Sequence, residues 1–260
     1  MAQSSIEWTQ MTWNPTTGCN KLSAGCKFCY ALTMSMRLKA MGQEKYKNGF
    51  KLTVHPDKLS IPYTWKTPKI VFVNSMSDLF HKHIPLDYIK SVFKVMNENQ
   101  QHTFQILTKR GDILADYDLR NEINWTPNIW MGVSVEDERV IERIDHLRNV
   151  KAKIKFLSLE PLLGPLPDLD LLNINWVIVG GESGFKARPI LKKWIIEIKD
   201  QCKKQKIPFF FKQWGKPEFN EDQNDPTINS KHGNHAKGGC FLDGKIYREL
   251  PRVKFNSKAA

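Results

Sequence analysis

Short runs of consecutive apolar residues recur along the chain, and each run ends in polar or glycine residues. Continuous rather than alternating hydrophobicity is what a strand buried on both faces requires, as in a parallel sheet covered by helices. The pattern therefore predicts six strands, preceded by a first strand around residues 8–13. The six runs are residues 69–78, 103–110, 128–137, 153–162, 175–184 and 208–215.

Segments with helical spacing of apolar residues lie between several of these strands. Residues 85–99, 136–150 and 191–205 repeat apolar side chains at the spacing of one helix face, which favours amphipathic helices. An alternation of strands and helices predicts right-handed βαβ units and an α/β fold. We expect a full or partial (β/α) barrel, with a doubly wound open sheet as the competing architecture.

Polar side chains follow the predicted strands at their carboxyl ends. In parallel α/β folds these ends meet at one edge, where the chemistry takes place. Glu160 and Glu182 both follow apolar strands, a position that suits general acid–base groups or contacts to a ribose. Each carboxylate could instead simply accept a hydrogen bond or pair with a basic side chain. The first interpretation predicts a catalytic role for both.

The character of the chain changes after Trp214, where periodic hydrophobicity gives way to turn-forming residues. Residues 216–260 are predicted to form a loop or lid that ends in a short hairpin around Asp243 and Gly244. At 260 residues the chain is long enough for one large domain. We expect the barrel of residues 1–215 and this loop-rich extension to form that single domain.

The formal net charge of +12 favours polyanionic partners such as nucleic acid, although it could reflect solubility alone. Lys109 and Arg110 follow a predicted strand and could contact phosphate, or they could form salt bridges. Lys212 and Trp214 combine a cation with an aromatic ring, as on a base-stacking surface. No apolar run approaches the length of a membrane span and no secretory signal is evident, so we expect a cytoplasmic protein without a membrane partner.

Three of the five cysteines, Cys19, Cys26 and Cys29, form the pattern C-x6-C-x2-C. Cytosolic thiols stay reduced, so such a cluster indicates metal binding or catalysis, and thiolates suit zinc or iron–sulfur iron. A structural zinc site needs four ligands. Three cysteines can instead hold three irons of a 4Fe–4S cluster and leave the fourth open. Candidates for a fourth protein ligand are Cys202, Cys240, His232 and His235.

These residues resemble those of a known enzyme class. The segment Cys26-Lys27-Phe28-Cys29 has the C-x-aromatic-C ending of the radical S-adenosylmethionine enzymes, whose usual signature is C-x3-C-x2-C after the first strand of a (β/α)6 barrel. The first spacing of six residues departs from that signature. With "TWNPTTGC", "SLEPLLG" and "WVIVGGESG", the chain resembles a phage-associated, uncharacterised three-cysteine family that is distantly similar to spore photoproduct lyase.

The resemblance implies a partial (β/α)6-type, TIM-like barrel of parallel strands. It implies that Cys19, Cys26 and Cys29 ligate a 4Fe–4S cluster and that S-adenosylmethionine chelates the open iron. Reductive cleavage would give a 5′-deoxyadenosyl radical that abstracts hydrogen from a substrate. Phe28 would then lie near the adenine.

The other cofactor contacts implied by the resemblance follow strand ends. Radical S-adenosylmethionine enzymes commonly place Gly-Gly-Glu after the second strand, where this chain has "NSMSD". Its Gly-Gly-Glu comes later, at Gly180 and Gly181 followed by Glu182, and the two glycines are also expected to contact the cofactor. The cofactor amino group would therefore fall to residues of "NSMSD", and a ribose contact to the end of the fourth strand. The residues are Asn74, Ser75 and Ser77 for the first contact, and Ser134 and Glu136 for the second.

Cys240 lies in a glycine-rich loop and could act as a thiyl hydrogen donor, whereas Cys202 fits a helix core. We therefore expect a radical S-adenosylmethionine-type enzyme acting on a nucleic-acid base, in DNA more than RNA, in repair or modification. One alternative is a non-catalytic, zinc-stabilised nucleic-acid-binding protein. The other keeps the cofactors but acts on a protein or small metabolite. The phage-associated resemblance also leaves room for a protein partner.

Overall fold

A computed structural model describes residues 4, 6–222, 224–228 and 238–251 of the chain. Within these ranges the chain forms eleven strands and five α-helices. The strands are β1 (Met11–Trp13), β2 (Thr16–Thr17), β3 (Thr53–Val54), β4 (Ile70–Val73), β5 (Thr103–Thr108), β6 (Ile129–Ser134), β7 (Ile154–Leu159), β8 (Trp176–Gly180), β9 (Phe209–Gln213), β10 (Phe241–Leu242) and β11 (Lys245–Ile246). The helices are α1 (Tyr30–Ala40), α2 (Leu86–Glu98), α3 (Gly111–Leu119), α4 (Glu142–Arg148) and α5 (Lys192–Gln205).

The main sheet contains seven parallel strands in the order β1-β4-β5-β6-β7-β8-β9. Each strand therefore pairs with the next long strand of the chain, and the order never reverses. A doubly wound sheet would reverse at a switch point, whereas a barrel adds each strand on the same side of the last. The sheet curls into a half-barrel, so the protein has a partial TIM-like barrel, and the predicted seven strands are confirmed.

Five of the connections between neighbouring strands of this sheet contain one of the helices α1–α5. The connection from β7 to β8 is different, because residues 160–175 form no helix or strand. This segment still covers the outer face of the sheet, since four of its leucine side chains are almost fully buried. They are Leu162, Leu166, Leu169 and Leu171.

Apolar side chains pack on both faces of the sheet, which explains the continuous hydrophobic runs. The larger cluster fills the space between the sheet and the helices. The smaller cluster covers the concave face and is mainly aromatic, and Trp8 meets the Trp176 ring there edge-on at 6.3 Å. Its members are Trp8, Phe72, Trp130, Ile154, Phe156, Trp176, Ile178 and Phe210. The floor of the half-barrel is therefore closed by side chains, and its polar end lies at the carboxyl edge.

The last part of the chain covers the β9 edge of the sheet. Strands β10 and β11 form the predicted hairpin, with Asp243 and Gly244 at φ values of 52° and 70° in its turn. Beyond the hairpin, Arg248 pairs antiparallel with Phe210. This pairing occupies backbone groups that an open edge would expose. Residues 223, 229–237 and 252–260 of the predicted lid and hairpin lie outside the described residues.

No helix in the described part of the chain is long and apolar enough to cross a membrane.

Candidate functional site

Residues 18–29, here called the cysteine loop, connect β2 to α1 at the carboxyl edge of the sheet. Cys19, Cys26 and Cys29 are free thiols of intermediate exposure, and Cys29 is the N-cap residue of α1. Gly18 begins the loop with a φ of 81°, and its N–H donates to the Met76 carbonyl at 3.0 Å. Among the described residues, no three His, Cys, Asp or Glu side chains are already grouped closely enough to hold a metal ion.

Arg110, at the end of β5, holds the start of the cysteine loop. Its Nη1 donates to Asp78 at 2.7 Å and to the Cys19 sulfur at 3.6 Å, and its Nη2 donates to the Asn20 carbonyl at 3.4 Å. Burial, followed by the Asp78 carboxylate, raises the pKa of the Cys19 thiol to about 11, and Arg110 opposes this rise. Arg110 is 7% exposed, so it is a partner of the cysteine loop rather than the expected phosphate contact.

Glu136, just beyond β6, supports the middle of the cysteine loop. Its Oε1 accepts a hydrogen bond from Ser23 Oγ at 2.7 Å and forms an ion pair with Lys109 Nζ at 2.9 Å. Its Oε2 forms an ion pair with Arg143 at 3.0 Å. Burial acts to raise the pKa of Glu136, but these partners outweigh it and hold the pKa below its usual value. A Cβ atom on Gly25 would lie 2.3 Å from Oε1.

These contacts correct two expectations. Glu136 is 1% exposed and both of its oxygens are occupied, so it is a support for the cysteine loop and is not free to bind a ribose. Lys109 is bound to this carboxylate, so its charge is already paired. Ser134, the other expected ribose contact, is buried within β6, and its carbonyl accepts from Arg143 at 2.8 Å.

Arg188, which the sequence interpretation missed, is the third support of the cysteine loop. Its Nε and Nη2 donate to the two carboxylate oxygens of Glu182 at 2.8 and 2.6 Å. Nη2 also donates to the Ala24 carbonyl at 3.0 Å, and the guanidinium lies 5.3 Å from the centre of the Phe28 ring. Glu182 is therefore engaged in a bidentate ion pair that joins the end of β8 to the cysteine loop, which is the pairing alternative for this carboxylate.

The ends of β1 and β4 form a polar cluster beside the cysteine loop. Ser77 Oγ contacts Thr16 Oγ1 at 2.6 Å, and Ser75 Oγ hydrogen-bonds the Asn14 amide at 3.2 Å. Asn74 has a φ of 60° and accepts from the Thr16 N–H at 3.3 Å through Oδ1. Its Nδ2 is buried and has no hydrogen-bond partner among the described residues. Asn74 therefore presents an unused donor in this cluster.

Glu160, at the end of β7, pairs with Lys212 of β9 at 3.2 Å. It also lies near the cysteine loop: desolvation raises the pKa of the Tyr30 hydroxyl, and the neighbouring Cys29 thiol and Glu160 carboxylate raise it further. The Tyr30 hydroxyl donates to the Ser75 carbonyl. Glu160 thus carries a paired charge, and Lys212 is its partner rather than a free cation.

Gly180 and Gly181 are required by close packing. A Cβ atom on Gly180 would lie 2.4 Å from Glu160 Oε1, and one on Gly181 would lie 2.1 Å from the Trp214 carbonyl oxygen. The Gly181 N–H donates to the Gln213 carbonyl at 2.8 Å. These two glycines therefore let the ends of β7, β8 and β9 approach each other, which accounts for them without a cofactor contact.

Trp214 and Cys240 lie in the packed C-terminal region. Trp214 is 1% exposed and its indole N–H donates to the Phe241 carbonyl at 2.8 Å, so the expectation of a base-stacking surface at Trp214 is wrong. Cys240 is 5% exposed, and its N–H donates to Thr227 Oγ1 at 2.8 Å. Its role as a hydrogen donor stays a prediction. The alternative zinc ligands His232 and His235 lie outside the described residues.

Fold and site together define an α/β protein with a partial TIM-like barrel and a three-cysteine loop at the carboxyl edge of its sheet. The chain belongs to a family described as "Protein of unknown function (DUF5131)", whose model matches residues 3–251. No curated protein and no solved structure matches the chain.

Proposed function

We propose that the protein is a radical S-adenosylmethionine-type enzyme that binds a 4Fe–4S cluster and acts on a nucleic-acid base, in DNA more than RNA. The observation that supports this most directly is the position of Cys19, Cys26 and Cys29. Three free thiols lie on one loop between the first sheet strand and the first helix, at the carboxyl edge of a parallel half-barrel. Chemistry in parallel barrels takes place at this edge.

The donor set fits an iron–sulfur cluster. Soft thiolates are the preferred ligands of cluster iron. Three of them would bind three of the four irons and leave the fourth for a ligand that the protein does not supply. When bound, the cluster would supply the electron for reductive cleavage of S-adenosylmethionine and hence a radical able to abstract hydrogen. The contribution of the chain is to bind, orient and shield these groups.

The cysteine loop is fixed by side chains from three strand ends, which favours a preorganised site. Arg110, Glu136 and Arg188 each bind a different part of the loop. Arg110 also gives one sulfur a charge-assisted donor.

The cofactor contacts belong to the same proposal. We assign Asn74, Ser75 and Ser77 to the amino-acid end of S-adenosylmethionine, because Asn74 Nδ2 is a buried donor without a partner among the described residues. Phe28 is assigned to the adenine, since it lies within the cysteine loop. We also assign the sheet to the (β/α)6 type of barrel: β1 and β4–β8 would be its six strands, the segment 160–175 would take the place of one helix, and β9 would be a seventh strand added at the edge.

Nucleic acid is the proposed substrate class because of the net charge of +12. The strand-end cations do not add to this argument, because Lys109, Arg110 and Lys212 are paired with carboxylates. Phosphate contacts must come from other basic side chains. Affinity for DNA that falls as salt rises would support this part of the proposal.

The test is anaerobic reconstitution with iron and sulfide, followed by dithionite and S-adenosylmethionine and an assay for 5′-deoxyadenosine. Cys26→Ala should abolish the product. Cys202→Ala is the matched control, because it also removes one thiol but lies in the core of α5. We expect the control to retain about four irons per chain and full product. One tightly held zinc per chain and no 5′-deoxyadenosine would contradict the proposal and favour a zinc-stabilised binding protein.

A further inference from the structure

Phe185 is the most exposed large apolar side chain among the described residues, at 91%. It follows Gly184, whose φ of 107° is a conformation that suits glycine. A phenylalanine ring held in solvent loses the free energy that burial would provide. Single exposed apolar side chains are common on protein surfaces, so the groups around this ring decide whether it has a role.

The segment that carries Phe185 is fixed at both ends. Glu182 and Arg188 form their ion pair across it, and Arg188 also binds the cysteine loop at Ala24. On the other side, Gly215 approaches so closely that a Cβ atom there would lie 2.3 Å from the Glu182 carbonyl oxygen. Phe185 is thus presented on a short tethered segment at the same edge of the sheet as the cysteine loop.

One cation lies over the exposed ring, and a second basic residue follows Phe185 in the chain. Lys216 Nζ lies 5.9 Å from the centre of the Phe185 ring and 5.6 Å from that of Phe219, and it forms an ion pair with Glu218 at 3.0 Å. Lys186 is exposed and has no ion pair among the described residues. We call Phe185, Lys186, Lys216 and Phe219 the Phe185 surface.

We infer that the Phe185 surface binds single-stranded nucleic acid, with an unpaired base stacked on the Phe185 ring and the backbone phosphates near Lys186. An open aromatic face beside cations is the combination that binds single strands without strong sequence preference. A protein-docking site would instead surround the ring with further apolar side chains. The inference rests on the nucleic-acid substrate of the proposed function and gives it a specific location.

Binding is measured by fluorescence anisotropy, with the purified full chain and a fluorescein-labelled single-stranded DNA oligonucleotide at several salt concentrations. Phe185→Ala should weaken binding about tenfold at every salt concentration, because it removes stacking but no charge. Phe185→Trp should restore it. Lys186→Gln should instead make the affinity less dependent on salt: the slope of log affinity against log salt concentration should become less steep by about 0.7, because one phosphate contact is lost.

Leu119→Ala is the matched control. Leu119 is 79% exposed and ends α3, which returns the chain toward the start of β6 and so lies away from the carboxyl edge. This variant should bind like the unaltered chain. Thermal unfolding of all variants checks that they are folded. Because the substituted residues are exposed, we expect unchanged melting temperatures.

Two results would overturn the inference: equal affinity of Phe185→Ala and the unaltered chain, or the absence of salt-dependent binding to single-stranded DNA. The second result would favour a protein or small-molecule substrate. Neither bears on the iron–sulfur chemistry, because this binding assay needs no cluster and the 5′-deoxyadenosine assay needs no nucleic acid. Equal affinity therefore overturns this inference alone, absence of binding also overturns the nucleic-acid part of the proposed function, and the radical chemistry can fail separately from both.

Discussion

Gly25 of the cysteine loop packs directly against Glu136: a Cβ atom on Gly25 would lie 2.3 Å from the carboxylate oxygen Oε1. The same oxygen accepts the hydrogen bond from Ser23 and the ion pair from Lys109. The middle of the cysteine loop therefore fits onto a buried carboxylate whose two oxygens are both held by partners. Several expected outcomes depend on this and on the two arginine contacts.

Gly25→Ala should push the cysteine loop off Glu136 and lower the free energy of unfolding by about 1–3 kcal/mol, as overpacking does. The iron content after reconstitution should fall with it. Urea denaturation and iron analysis measure the two effects. Ser23→Ala, which removes one hydrogen bond without a clash, should cost about 1 kcal/mol and retain the iron. Unchanged stability of Gly25→Ala would show that the loop does not rest on Glu136.

Arg188→Ala should lower the free energy of unfolding by about 3–5 kcal/mol, because it leaves the Glu182 carboxylate buried without its partner. Replacing both Glu182 and Arg188 by alanine should lower the free energy of unfolding by less than the sum of the two single replacements, because the double variant leaves no unpaired charge. A double-mutant cycle by chemical denaturation measures this coupling. Additive losses would contradict the proposed link between β8 and the cysteine loop.

Stability should fall in acid because the pKa of Glu136 in the folded protein lies below its ordinary value of 4.5. A depressed carboxyl pKa contributes stability above the unfolded pKa, and this contribution is lost as the pH falls through the folded pKa. Glu136→Gln should therefore lower stability near neutral pH and flatten its decline below pH 4.5. Unfolding free energies measured across this range test the prediction. Parallel curves for the two proteins would contradict it.

Arg110 should tune the cluster through its contact with the Cys19 sulfur, 3.6 Å away. Removing a cationic donor favours the oxidised state, so the reduction potential should fall by about 30–60 mV, equivalent to about 0.7–1.4 kcal/mol. Replacing Arg110 alone would leave the Asp78 carboxylate buried without its partner. The double variant Asp78→Asn/Arg110→Gln is therefore compared with the single variant Asp78→Asn. Potentiometric titration gives both values. Equal potentials would mean that Arg110 only positions the loop.

Strands β4–β9 could be predicted from the sequence because nearly all of their residues are buried on both faces and are therefore continuously apolar. Helices α1 and α3 were not predicted, because their buried faces are not marked by a stripe of apolar residues. In α1 the buried residues are Ala31 and Ser35 while Met34 and Met36 are exposed, so no apolar stripe marks the helix. In α3 the buried residues include Asp118, whose carboxylate is bound by the Trp125 indole. A pattern of apolar positions cannot reveal such helices.

The candidate site was predictable where one segment contains the signal, as in the cysteine pattern. Contacts between distant segments were not. Arg188 binds the carbonyl of Ala24, 164 positions earlier, and the only local hint was an arginine six residues after Glu182. Lys109 suggested a phosphate contact and Lys212 part of a base-stacking surface, because their carboxylate partners follow other strands and only the folded sheet brings them within reach.

The central claim is that Cys19, Cys26 and Cys29 leave one iron of a cluster open to S-adenosylmethionine. Electron paramagnetic resonance of the reconstituted, dithionite-reduced protein tests this most directly, with spectra recorded before and after addition of the cofactor. The account predicts a 4Fe–4S signal whose shape changes on addition and which Cys26→Ala abolishes. A protein that yields no cluster signal and retains stoichiometric zinc, or a cluster signal that S-adenosylmethionine leaves unchanged, would contradict it.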